Sequence, residues 1–314
     1  MSALRWPITA AATVFAALAM ASAACAELKV VVTIKPIHSL VTQLMEGIAT
    51  PKLLIDGAAS PHTFSLRPSG VRAVHNADVF IRVSDSLEPF TRKVVKAMPG
   101  SVELVTLVEA PGLSLLDARG DAHHHHADEG EDDDEEDARH AHVDGHIWLD
   151  PANAKVIVSY LADILIRRAP EHADKLRANA KRLNAKIDAL IGEIAAEMAP
   201  FKHKPFIVFH DAYRYFQARF DLDDVGAITI SPQVQPSAKR LIELRDKIRS
   251  LKVACVFAEP MFQPKLVAAV TEGLDVRTGT LDPDGSMLQP GGELYFKLMR
   301  DLAGELESCL GHPS

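Results

Sequence analysis

The sequence predicts an α/β fold: two βα lobes with parallel four-stranded sheets, joined by one long rigid helix. Three observations carry this expectation. From Leu28 onward, short β-branched runs alternate with amphipathic helical stretches, as parallel βαβ units with helices on both faces of a sheet require. The same alternation resumes after residue 200. Between the two stretches an unbroken helical periodicity extends from about Pro170 to Ala199.

In chain order, residues 1–26 read as an export signal outside the fold. Arg5 supplies a short positive start, Ile8 to Ala24 is almost wholly apolar, and Ala24-Cys25-Ala26 has the small-residue cleavage pattern. The apolar run is short for a membrane span and rich in alanine. Ser22-Ala23-Ala24-Cys25 lacks the large aliphatic residue of a lipid-anchor motif.

The first lobe is expected over residues 27–169. Strands fall at Leu28 to Ile34, Lys52 to Ile55, Val79 to Val83 and Val102 to Val108, with helices near Ser39 to Met45, Pro68 to His75 and Glu88 to Ala97. A linking helix follows over residues 170–199, where Leu176, Ala180, Leu183, Ile187, Leu190, Ile191 and Ile194 recur at helical spacing. At about 1.5 Å per residue it extends about 45 Å, a rod that ties both lobes together and predicts limited domain motion. The second lobe is expected over residues 200–314, with strands at Phe206 to Phe209, Ala227 to Ile230, Val253 to Ala258 and Val276 to Thr280.

Residues 121–142 differ in kind. They hold His123, His124, His125 and His126, a dense acidic run, then His140 and His142, with almost nothing apolar to bury, so the segment reads as a disordered loop on the first lobe. Its ten acids against one arginine account for the net charge of −8, and the rest of the chain is close to neutral. A neutral body lacks the basic face that nucleic-acid binding requires. Six imidazoles beside many carboxylates suit weak sites for borderline transition metals; a solvated charged loop is the bland alternative.

Past the export signal two cysteines remain, Cys255 and Cys309. An even count in an oxidising compartment favours a disulfide, which by the loop-entropy model contributes about 4 kcal/mol. Two buried free thiols are the other arrangement the sequence allows.

Histidines stand where strands end. His210 follows Phe206-Ile207-Val208-Phe209, His62 follows the second strand, and His146 precedes Asp150-Pro151, a helix cap with proline at the first position. Asp282 follows the strand ending near Leu281. Each position alone also fits a structural histidine or a turn aspartate, and no tight spacing links them.

Five segments give these positions a common meaning: Gly57 to Leu66 with Arg67-Pro68-Ser69, His146-Ile147-Trp148-Leu149-Asp150-Pro151, Val208-Phe209-His210-Asp211-Ala212-Tyr213, Cys255-Val256-Phe257-Ala258-Glu259-Pro260, and Gly279-Thr280-Leu281-Asp282-Pro283. In these the chain resembles the cluster A-I metal-binding proteins of ABC importers, specifically the ZnuA-type zinc-binding proteins, over nearly all of the mature chain. The resemblance implies a metal site in the cleft between the lobes, with His62, His146 and His210 as imidazole ligands. Asp282 falls where many members place a carboxylate ligand. Pro61 replaces the glutamate that some zinc members carry before the first histidine, so Asp282 or water is expected in fourth place.

The resemblance further implies one tightly bound Zn²⁺ captured in the periplasm, delivery to an ABC importer membrane permease, and no catalysis. A periplasmic zinc chaperone is a further expected partner, and the receptor is expected to be a monomer. Glu259, at a strand end, is either an acceptor for a ligand ring N–H or a strand-end cap. Three neutral imidazoles with one carboxylate suit tetrahedral zinc, whereas manganese prefers more oxygen. Capture is expected to weaken near and below pH 6.5. The rivals are a manganese or iron receptor of the same fold, disfavoured by His210 where manganese relatives often carry glutamate, a zinc hydrolase, for which no HExxH motif is present, and a surface adhesin, which needs a lipid anchor whose motif is weak at Cys25.

Overall fold

A computed structural model of the chain describes residues 27–119, 143–262 and 264–311. The expected export signal and the histidine- and acid-rich segment lie outside the described residues. The first sheet comprises β1 (Val30–Val32), β2 (Lys52–Leu53), β3 (Val79–Arg82) and β4 (Glu103–Thr106). The second comprises β5 (Phe206–His210), β6 (Asp224–Thr229), β7 (Cys255–Ala258) and β8 (Arg277–Thr280). Each sheet is four-stranded, in the orders β2-β1-β3-β4 and β6-β5-β7-β8, and every pairing is parallel.

Both sheets therefore have the same topology. In each, the chain changes direction between its first and third strands, leaving a crevice beyond the carboxyl ends of those strands. Strands β1, β3 and β5 are buried along their whole length, which is why they read as continuous apolar runs without alternation. The run Leu28 to Ile34 contributes only three residues of strand, Val30–Val32, and its neighbour β2 only two.

Nine helices are described: α1 (Lys35–Leu44), α2 (Pro68–His75), α3 (Arg92–Lys96), α4 (Pro151–Arg168), α5 (Ala173–Met198), α6 (Arg214–Phe220), α7 (Ala238–Leu251), α8 (Lys265–Thr271) and α9 (Leu294–Leu310). Helix α1 starts earlier than its apolar pattern because Pro36 occupies the first turn, where no N–H is needed. The expected helix from Glu88 to Ala97 divides into a 3₁₀ turn, Pro89–Thr91, and α3.

The linking helix is α5, 26 residues long and flanked by 3₁₀ turns. Its buried stripe contains Leu176, Leu183, Ile187, Leu190 and Ile194, while Ala180 and Ile191 of the expected stripe stay half-buried at its edge. Asn179 interrupts the stripe with a purpose: its Nδ2 donates to the carbonyls of Leu44 (2.9 Å) and Glu46 (3.1 Å) at the end of α1. Helix α5 packs against α4, α9 and α1. One continuous hydrophobic cluster includes Val30 and Ile81 of the first sheet together with Val208 and Phe257 of the second. Cys255 and Cys309 form a disulfide between β7 and α9, and the free-thiol alternative falls away.

Candidate metal centre

Three imidazoles converge beyond the strand ends. His210 is the last residue of β5, the first strand of its sheet; His146 immediately precedes the 3₁₀ turn Ile147–Leu149; His62 lies in the loop after β2. The Nε2 atoms of His62 and His146 are 3.4 Å apart, and those of His146 and His210 are 3.3 Å apart. The three ligand atoms all fall within 4.8 Å of one another. A tetrahedral zinc with Zn–N bonds of about 2.0–2.1 Å separates its nitrogens by about 3.3–3.4 Å.

Behind two of these rings stand carboxylates. Asp144 Oδ1 lies 2.7 Å from His146 Nδ1 and also accepts the His146 backbone N–H at 3.0 Å. Glu259, one residue past β7, holds its two oxygens 2.7 and 2.8 Å from His210 Nδ1. An ionised carboxylate only accepts, so each Nδ1 carries the proton and each Nε2 turns a lone pair toward the centre. Tyr213 donates its hydroxyl to Glu259 at 3.3 Å, and burial, ahead of the Glu259 charge, holds that phenol well above its ordinary pKa of 10.0.

His62 is held differently. No carboxylate backs its ring among the described residues; its carbonyl accepts from Gln233 Nε2 at 2.8 Å across the cleft. Burial, then the neighbouring His146 and His210, push its pKa well below 6.5. His62 and His146 border a cavity of about 160 Å³, whose lining also includes Asp144, Asp211 and Gln233.

The turn bearing His146 is fixed from several sides. Asp150 caps α4 by accepting the Ala152 N–H at 2.8 Å, as the Asp-Pro pair predicts, and also accepts Arg219 Nε and Nη2 at 2.6 and 2.7 Å. Trp148 Nε1 donates to the Pro283 carbonyl at 2.9 Å, joining the His146 turn to the second lobe. Gly145 is required by proximity, since a Cβ there would lie 2.9 Å from Leu87 Cβ.

Asp282 stands apart from this arrangement, outside the set of ligand atoms that lie within 4.8 Å of one another. Its Oδ1 accepts the Asp284 N–H, and its Oδ2 accepts Ser286 Oγ–H and the Met287 N–H, so the carboxylate is occupied in closing its own loop. Buried Lys35 pins that loop by donating to the carbonyls of Ser286 (2.7 Å) and Leu288 (3.0 Å). Of the two arrangements the sequence allows for Glu259, the geometry is that of an acceptor facing the His210 ring Nδ1. Sequence reasoning passes over Asp144, which holds the ring of a candidate ligand; its signal is the Asp-Gly-His spacing, which places a carboxylate two residues before that histidine. The candidate weak sites at His123, His124, His125, His126, His140 and His142 lie outside the described residues.

Fold and cluster together define a class: a two-lobed α/β protein with a candidate metal-ion centre between its sheets. The family model described as "Zinc-uptake complex component A periplasmic" matches residues 30–309. The high-affinity zinc uptake system protein ZnuA of Brucella abortus is 43% identical over 304 residues, covering 90% of this chain and 91% of that protein. ZnuA of Paracoccus denitrificans is 36% identical over 299 residues, covering 90% and 92%. In fold, the chain is similar to a zinc-bound deletion mutant of ZnuA (TM-score 0.76, 21% identity, 91% and 99% covered) and to the periplasmic zinc-binding protein TroA of Treponema pallidum (TM-score 0.76, 21% identity, 90% and 99% covered). The chain belongs to the ZnuA family.

Proposed function

We propose that this protein captures one Zn²⁺ in the periplasm and delivers it to the membrane permease of an ABC importer, performing no catalysis. The observation that carries this reading is the convergence of three imidazoles within 4.8 Å, with the His62–His146 and His146–His210 Nε2 separations at the edge length of a zinc tetrahedron and two of the rings aimed by buried carboxylates. His62, His146 and His210 are the protein ligands. Water takes fourth place, because the Asp282 carboxylate is committed to its own loop. The two carboxylates that touch the cluster are both engaged by imidazole N–H groups, so neither serves as a general base for that water. An all-nitrogen protein donor set favours zinc over manganese.

In this reading residues 1–26 direct export and are removed, and the mature receptor acts as a monomer. His123 to His126, His140 and His142 provide weak, fast-exchanging sites that raise the local zinc concentration. A periplasmic zinc chaperone is an additional partner in this reading.

The test is competition titration of the metal-stripped protein against a chromophoric chelator. One tight zinc per chain is expected, abolished in His210→Ala and His62→Ala and retained when residues 121–142 are deleted. A tight phase that survives both histidine substitutions would refute the ligand assignment, and preference for manganese would refute the cargo.

A further inference from the structure

A second feature of the first lobe adjoins the mouth of the metal centre without belonging to it. A groove of about 520 Å³ lies between α2 and the Pro89–Thr91 turn with α3. Its apolar lining comes from Phe64, Leu66, Val71, Pro89, Phe90 and Val94. Phe64 and Phe90 meet edge to face, with ring centroids 5.1 Å apart, and both are only half-buried. His75 also lines the groove, and its Nε2 is buried with no hydrogen-bond partner among the described residues.

The charges around the groove are one-sided. Residues 64–76 and 89–100 contain Arg67, Arg72, Arg92, Lys93 and Lys96 and not one carboxylate, in a chain whose net charge is −8. All five cations are exposed. Among the described residues none of Arg67, Arg72, Lys93 and Lys96 is ion-paired, whereas cations elsewhere are, as in Arg300 with Glu193, Arg219 with Asp150 and Lys297 with Asp301. An apolar floor ringed by unpaired cations is complementary to a polypeptide carrying an apolar anchor between carboxylates.

The groove is also continuous with the metal centre along the chain. Phe64 lies two residues from His62, and Pro89 and Phe90 follow Ser86 and Leu87, which line the cavity beside His62 and His146. A partner seated in the groove therefore presses on the two loops that frame the metal's mouth.

We propose that this groove is the docking site for an acidic, apolar-anchored segment of the importer permease's periplasmic face, and that its occupancy bears on the loop of His62. The proposal rests on the zinc-delivery reading. The chain's own residues 121–142 match the charge but hold only alanine as apolar side chains, so they offer the floor no large anchor. Cavity floor and rim together fit a partner segment better than that run.

The experiment reconstitutes the cognate permease and its ATPase in liposomes and titrates zinc-loaded receptor while ATP hydrolysis is followed. Three proteins are compared: the wild type, Arg72→Glu/Lys93→Glu at the rim, and Lys181→Glu/Lys265→Glu, which carries the same charge change on exposed sites elsewhere. The rim variant should keep its zinc dissociation constant within about two-fold while needing about ten-fold more receptor for half-maximal stimulation, with the remote variant matching the wild type. Equal stimulation by both variants would overturn the proposal. So would a rim variant with an altered sedimentation coefficient, which would place a second copy in the groove. If deleting residues 121–142 lowers the half-maximal concentration of the wild type but not of the rim variant, the acidic run occupies the groove instead. A wild type that binds zinc without stimulating the importer fails the delivery reading itself, an outcome distinct from these.

Discussion

His146 and His210 are aimed by carboxylates, while among the described residues His62 has no carboxylate at its ring and is tied across the cleft through its backbone carbonyl. That difference sets what each substitution should do. Asp144→Asn and Glu259→Gln keep an acceptor near Nδ1 but remove its charge, and each should weaken zinc binding by about ten-fold or more, against loss of the tight site in His210→Ala. Chelator competition with circular dichroism as a fold control measures this; an unchanged affinity in both would mean that the carboxylates only fill space. His62 leads to a pH prediction. Its folded pKa lies well below the 6.5 of the unfolded chain, so as pH falls below 6.5 the unfolded state takes up this proton first. The metal-free wild type should therefore lose urea stability relative to His62→Gln as pH drops below 6.5, and the two should run parallel above it. The broader expectation of weakened capture below pH 6.5 thus moves lower where His62 is concerned. Position beside a strand end or a helix cap singles out His210 and His146 only weakly, and His62 lies nine residues past β2; it is the family resemblance of the five segments that groups the three, which the fold then brings together. The disengagement of Asp282 is not legible in the sequence, since it depends on Ser286, Met287 and a clasp by Lys35 from the other end of the chain.

At the next scale, the repeated sheet topology places a buried glutamate after the third strand of each lobe, and the two have diverged in use. Glu259 follows β7 and faces His210, whereas Glu88 follows β3 and uses Oε2 to accept the N–H groups of Val83 (2.5 Å) and Ser84 (3.2 Å). Burial outweighs those bonds and lifts the Glu88 carboxyl from 4.5 to about 7. A raised folded pKa means that its contribution to stability is present below 4.5 and is lost as pH rises through about 7. Glu88→Gln cannot ionise, so its stability relative to the wild type should improve over that window by on the order of 2–3 kcal/mol. Denaturant midpoints across the pH range read this directly, and a constant gap would show that Glu88 stays ionised or stays wet. Elements of this size are largely readable: α2 and α5 are set by apolar spacing and by proline at or near their starts. Strand ends are less so, because ladder length depends on the partner strand. The split of the Glu88 to Ala97 stretch likewise follows from backbone bonds that Glu88 makes to residues before it.

At the scale of the molecule, the two sheets share one large core, besides a smaller cluster that each keeps for itself, around Val31 and Phe80 in the first and around Ile207 and Val256 in the second. The cluster that holds Val30 and Ile81 continues through Trp148, Ile187 and Tyr295 to Val208 and Phe257, with α5 lying along it and α1 packed on α9. Polar contacts cross at the same level: Trp148 to Pro283, Lys35 to Ser286, and Ser39 Oγ to the Gly292 carbonyl at 2.8 Å. Opening the cleft by a hinge would expose part of a continuous apolar interior and break these bonds together, at a cost of many kcal/mol, since burial contributes about 25 cal/mol per Å². Metal entry and release are therefore expected to proceed through the loops that carry His62 and Gln233 rather than by lobe separation. A compact chain of this size has a radius of gyration of about 19 Å, and small-angle scattering should show a change below about 3% of that value on zinc binding. Amide exchange should slow on loading in residues 60–66 and 230–234 while the buried stripe of α5 stays unchanged. A larger contraction, or exchange that slows along α5, would mean that the helix flexes and that the shared core yields more cheaply than its continuity implies.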